Sequence, residues 1–129
     1  MAFTTGNQIL PGYTMPVGEK YLIVFDHTGP SSYTQFSTPS TGGDVLVAAS
    51  GLNIGGFDYM DDAIDSTGQI ACYPILNLGG YGNAVPQVIL IYYSLVSATL
   101  GGQSQTANTQ IAASTNLSTF SWRLRAMGV

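Results

Sequence analysis

The chain has 129 residues, with 3 Lys/Arg against 7 Asp/Glu and 45% hydrophobic residues. A free soluble domain carries about a quarter charged residues, so a charged fraction of 8% points to an outside not meant wholly for bulk water. The net charge of -4, with Lys20, Arg123 and Arg125 as the only cations, excludes nucleic acid as a partner, because phosphate neutralisation needs clustered Lys and Arg.

The length fits one domain. Residues 1–19, with Pro11, Gly12, Pro16 and Gly18, cannot build a long regular element by themselves and read as an extended arm. The arm carries Phe3, Ile9, Leu10, Tyr13, Met15 and Val17, side chains that would not be left in water. It therefore wraps its own domain or reaches across to a neighbour. The first ten residues lack the basic and apolar regions of a secretory signal, so synthesis in the cytoplasm is expected.

From residue 20 onward, runs of β-branched and aromatic residues alternate with Gly- and Pro-bearing turns. Strands are expected at 20–26, 32–37, 44–49, 69–76, 87–98, 109–114 and 117–127. Phe57, Met60 and Ile64 have helical spacing, but the window 57–65 is about two turns and follows Gly55-Gly56, so a helix, a strand and an irregular crossover all fit. The stretch 85–100 is apolar but shorter than the ~20 residues of a membrane helix and rich in β-formers, which makes it buried strand rather than a span. Residues 103–110 are polar and aperiodic, as in an exposed loop. In the last run Phe120, Trp122, Leu124 and Ala126 alternate with Ser121, Arg123 and Arg125, the pattern of a half-buried strand with Trp122 in the core and both arginines exposed. The 20–26 and 88–93 runs are apolar on both faces, as when one face meets a core and the other a neighbour. The fold class is all-β, one sandwich or barrel over 20–129 behind the arm.

The candidate sites are weak. Cys72 stands alone in an apolar run and reads as a small buried hydrophobe; one cysteine allows neither an internal disulfide nor a multi-thiolate metal site. Asp58, Asp61, Asp62 and Asp65 could hold Ca²⁺ but do not follow the EF-hand spacing, and read as a solvated acidic loop. His27 reads as a turn histidine beside Gly29-Pro30: no Gly-x-Ser-x-Gly elbow accompanies it, and on a strand Asp26 would point away from it. The acids offer no obvious glycosidase pair, and Gly79-Gly80-Tyr81-Gly82-Asn83 lacks the Lys and helix of a phosphate loop. Eight tyrosines leave room for a sugar-binding platform, although Tyr21, Tyr92 and Tyr93 lie in apolar strands where core or subunit contact competes. No catalytic residue, cofactor or metal site is assigned.

The Met1-Ala2-Phe3-Thr4-Thr5-Gly6-Asn7 opening, the Gly/Thr/Ser-rich strand-and-turn body and the terminal strand at 120–129 resemble small virion proteins of tailed bacteriophages, especially capsid decoration or cement proteins. That resemblance implies a β-sandwich or β-tulip-like domain, often a homotrimer, that ties capsomers of the major capsid protein together in the virion without catalysis. Membrane and nucleic acid are not expected partners. Phe3, Ile9, Leu10 and Tyr13 are the expected partner contacts, with Arg123 and Arg125 as candidates for pairs with acids of a neighbour. Tail, baseplate and lectin-like carbohydrate-binding roles are the alternatives.

Overall fold

A computed structural model describes residues 8–17, 20–38, 41–48, 52, 54–76 and 84–129. The elements are all strands: β1 (Gln8–Val17), β2 (Lys20–Thr28), β3 (Asp44–Val47), β4 (Phe57–Met60), β5 (Ala63–Ile64), β6 (Ile70–Leu76), β7 (Gln87–Ser94), β8 (Ala98–Leu100), β9 (Gln103–Gln105), β10 (Thr109–Gln110) and β11 (Ser121–Gly128). One sheet has the order β1-β2-β11-β4; the other has the order β10-β7-β6-β5, with β3 also paired to β7. All the described pairings are antiparallel. The β8–β9 hairpin turns on Gly101 and Gly102, whose φ of 60° and 82° are the left-handed pair that a tight hairpin requires.

The alternation expected of the C-terminal run is present. Trp122, Leu124 and Ala126 of β11 are buried while Arg123 and Arg125 are exposed. Ile23, Phe25 and His27 of β2 share the inner face. From the other sheet come Ile70 and Cys72 of β6 and Val88, Leu90 and Tyr92 of β7. Trp122 joins the layers: its ring lies 4.6 Å from that of Tyr92, and its Nε1–H donates to the Ile70 carbonyl at 3.0 Å. The result is a sandwich with one apolar interior, as the strand-and-turn pattern predicts.

The structure selects among some of the expected alternatives and corrects other expectations. Residues 8–17 form a full strand because β2 supplies the partner that the segment lacks alone; a register shift between Ile9 and Tyr13 falls at Pro11-Gly12, where proline cannot donate to a ladder. The 32–37 run is not a strand but an irregular segment, held by Gln110, whose side chain accepts from Phe36 N and donates to Phe36 O. The ambiguous 57–65 window is strand, β4 and β5. Residues 103–110 are largely exposed, as expected, but are not simply a loop: they contain β9 and β10, and Gln105 is buried, donating to Thr115 Oγ1 at 2.9 Å and accepting from Ala112 N at 2.9 Å. Phe3 and the Gly79–Asn83 turn lie outside the described residues.

Candidate functional site

The chemistry-bearing side chains separate into a polar core, a set of ion pairs and two outer faces. His27 is fully buried within β2 rather than placed in a turn. Its Nε2 lies 2.8 Å from Asp44 Oδ2, the same oxygen that accepts the Tyr92 hydroxyl at 2.6 Å. With Asp44 as a carboxylate, Nε2 carries the donated proton, and Nδ1 has no partner among the described residues. The trio couples β2, β3 and β7 across the sandwich. His27 is fully buried, and through Asp44 and Tyr92 it braces the two layers. Burial pushes the Tyr92 phenol well above its usual range, with the neighbouring Cys72 and Asp44 adding to the shift.

The four clustered acids diverge. Asp58 accepts from Lys20 Nζ at 2.5 Å, and Asp61 pairs with Arg125 at 2.5 Å. Asp65 is buried and organises the turn before β6: it accepts from Thr67 N, Thr67 Oγ1, Gln69 N and Ile70 N at 2.5–3.0 Å. Burial opposes charge on this carboxyl, but the hydrogen bonds from the Thr67 side chain and the backbone outweigh it and lower its pKa below 3.8. Among the described residues no three His, Cys, Asp or Glu come together as a metal site.

Arg123 donates to both oxygens of Asp26, at 2.7 and 2.9 Å, completing a set in which each of the three cations has a carboxylate on its own chain. Arg123 and Arg125, expected as candidates for pairs with acids of a neighbour, pair with Asp26 and Asp61 of their own chain. The backbone places Ile9, Leu10 and Tyr13 in β1 along the domain's own β2. With three acids neutralised, the net charge rests on Glu19, Asp44, Asp62 and Asp65. Asp44 and Asp65 are buried, so Asp62 is the exposed unpaired acid among the described residues.

Both outer faces carry apolar groups. On the first sheet, Leu22, Met127 and Tyr59 stand opposite one another across β2, β11 and β4, with the Lys20–Asp58 and Arg125–Asp61 pairs nearby. Tyr59 is 41% exposed. On the second sheet, register places Val45, Ile89 and Ile75 in one row, Ile91 and Tyr73 in the next, and Tyr93, Ala71 and Ile64 in a third. Val45, Ile64 and Tyr73 are exposed there. The parity of β7 separates Tyr92, inside, from Tyr93, outside, a distinction legible from period two alone. Asp44 and Asn108 carry no such signal: each owes its place to a fold-level pairing. No protein-family model, curated protein or solved structure matches this chain.

Proposed function

We propose that this chain is a non-enzymatic structural subunit of a phage particle, acting as a capsid decoration protein that binds copies of itself, as a homotrimer, and the major capsid protein. The observation that carries the reading is the outer face of the first sheet. There an apolar row of Leu22, Met127 and Tyr59 is bordered by ion pairs already closed within the chain. Such a face can be covered by another protein surface without stranding an unpaired charge, which is the costly outcome at an interface. His27 and Asp65 fit the same reading, since both are engaged in holding the sandwich and its turns.

The test is the solution mass by light scattering across a wide concentration range, with and without Tyr59→Glu, followed by co-sedimentation with assembled shells. A closed oligomer that Tyr59→Glu dissociates, and binding to shells, support the reading. A monomer that ignores the substitution and does not sediment with shells overturns it. A tail-associated or lectin-like role is the second reading, favoured by the exposed tyrosine on the opposite sheet.

A further inference from the structure

Tyr73 and Tyr93 are diagonal neighbours on the outer face of β6 and β7, their ring centroids 5.4 Å apart and their planes at 75°. This edge-to-face packing holds Tyr73 in place while leaving 42% of it exposed. A hollow opens on each side of it. One, of about 390 Å³, is lined by Asp62, Ala63, Ile64, Ala71 and Leu95 together with Tyr73. The other, of about 230 Å³, is lined by Tyr93, Ser94, Leu95 and Asn108 with the same Tyr73. The two share Tyr73 and Leu95, so they form one surface with an aromatic ridge.

Of the polar groups around this ridge, the Ser94 hydroxyl is taken up by the Val96 backbone and four others are unengaged. The Asp62 carboxylate, the Asn108 amide and the hydroxyls of Tyr73 and Tyr93 make no hydrogen bond among the described residues. Asn108 is nonetheless fixed: its φ is 64°, its N–H donates to the Ser94 carbonyl at 2.7 Å, and its neighbours Ala107 and Thr109 are tied to Ser97 and Thr106.

We propose that this surface is a binding site for a neutral saccharide, with one pyranose ring on Tyr73 and its hydroxyls bonded to Asp62 and Asn108. An aromatic face takes the C–H side of a sugar, a carboxylate accepts two hydroxyls, and a carboxamide both donates and accepts. The alternatives fit less well. No Lys or Arg lines either hollow, and the unpaired Asp62 repels phosphates, sialic acids and uronic acids. An apolar protein surface would bury four polar groups without partners, a cost that a polyol avoids. One carboxylate is too few for a calcium site. This site is independent of the subunit reading, which rests on the opposite sheet.

The experiment is saturation-transfer NMR and titration calorimetry with neutral gluco-, manno- and galacto-oligosaccharides, using sialylated and uronic oligosaccharides as charged controls. At least one neutral series should bind saturably, and Tyr73→Ala should weaken it by about tenfold or more, the loss of one good stacking contact. Asp62→Asn and Asn108→Ala should each weaken it, whereas Tyr21→Ala on the opposite sheet should leave it unchanged. All four positions are exposed, and an unaltered melting temperature identifies variants whose fold is intact. Absence of binding by every neutral series, equal binding of the anionic controls, or affinity retained in Tyr73→Ala would overturn the proposal.

Discussion

Asp65 shows how much one side chain can organise when its lone pairs are filled. It takes four hydrogen bonds from three residues of the turn that launches β6, and the charged form is the one that those donors favour. A carboxyl whose folded pKa is lowered stabilises the fold above its unfolded value, near 3.8, and that contribution disappears as pH falls through the folded value. Asp65→Asn should therefore cost about 1–3 kcal/mol at neutral pH and flatten the loss of stability below about pH 4, read from denaturant midpoints against pH. The tyrosines impose the opposite limit. Burial pushes Tyr33 up to about 12, partly offset by hydrogen bonds from the backbone at Tyr92 and Phe36, and burial raises Tyr92 and Cys72 as well. A folded pKa above the unfolded one gives stability that is complete below the unfolded value, about 10 for tyrosine, and is lost as pH rises through the folded value. Between about pH 10 and 12 stability should thus fall by up to about 1.4 kcal/mol per pH unit for each such phenol. Tyr33→Phe removes one of these contributions, so its alkaline limb should be shallower in pH-dependent unfolding monitored by circular dichroism.

At the scale of elements, the sequence is most readable where one face is wet. The alternation of Trp122, Leu124 and Ala126 with Arg123 and Arg125 is enough to identify β11 and its inner face from period two alone. Legibility falls where strands depend on a distant partner. β1 carries Pro11 and Pro16 and becomes a strand by pairing with β2; β9 and β10 are polar, and Gln105 and Gln110 hold their positions through hydrogen bonds that no hydropathy pattern records. For the candidate sites, parity separates Tyr92 from Tyr93, but the approach of Asp62 and Asn108 to Tyr73 arises from the β5–β6 and β10–β7 pairings. The two kinds of residue in β11 should also behave differently when changed. Trp122→Phe removes the donor to the Ile70 carbonyl and leaves a void beside Tyr92, at a cost of about 2–4 kcal/mol. Arg123→Ala breaks a bidentate pair whose arginine is 64% exposed, and should cost less than about 1 kcal/mol. Equilibrium urea unfolding of both variants compares the two magnitudes directly; equal costs would mean that the outer face contributes more than its exposure implies.

Across the whole molecule, charge and apolar surface are distributed in one direction. The three cations are neutralised on or beside the outer face of the first sheet, two of the remaining acids are buried, and the unpaired acid Asp62 lies at the edge of the second sheet's outer face. Among the described residues the first sheet is therefore the face on which close approach of a second protein meets least uncompensated charge, and Tyr59 with Met127 and Leu22 supplies apolar area for it to cover. If copies of the chain associate there, folding and assembly are linked, and apparent stability must rise with protein concentration, since mass action favours any state that only the folded chain can enter. A melting temperature that climbs with concentration, and a slope that Tyr59→Glu abolishes, is the expected outcome in differential scanning fluorimetry at several concentrations. The glutamate places an unpaired negative charge in the covered row, where neither Lys20 nor Arg125 can neutralise it without abandoning Asp58 or Asp61. A concentration-independent melting temperature in the unaltered chain would instead assign the apolar row to contact with a different protein, and the shell-binding measurement would then carry the structural reading alone.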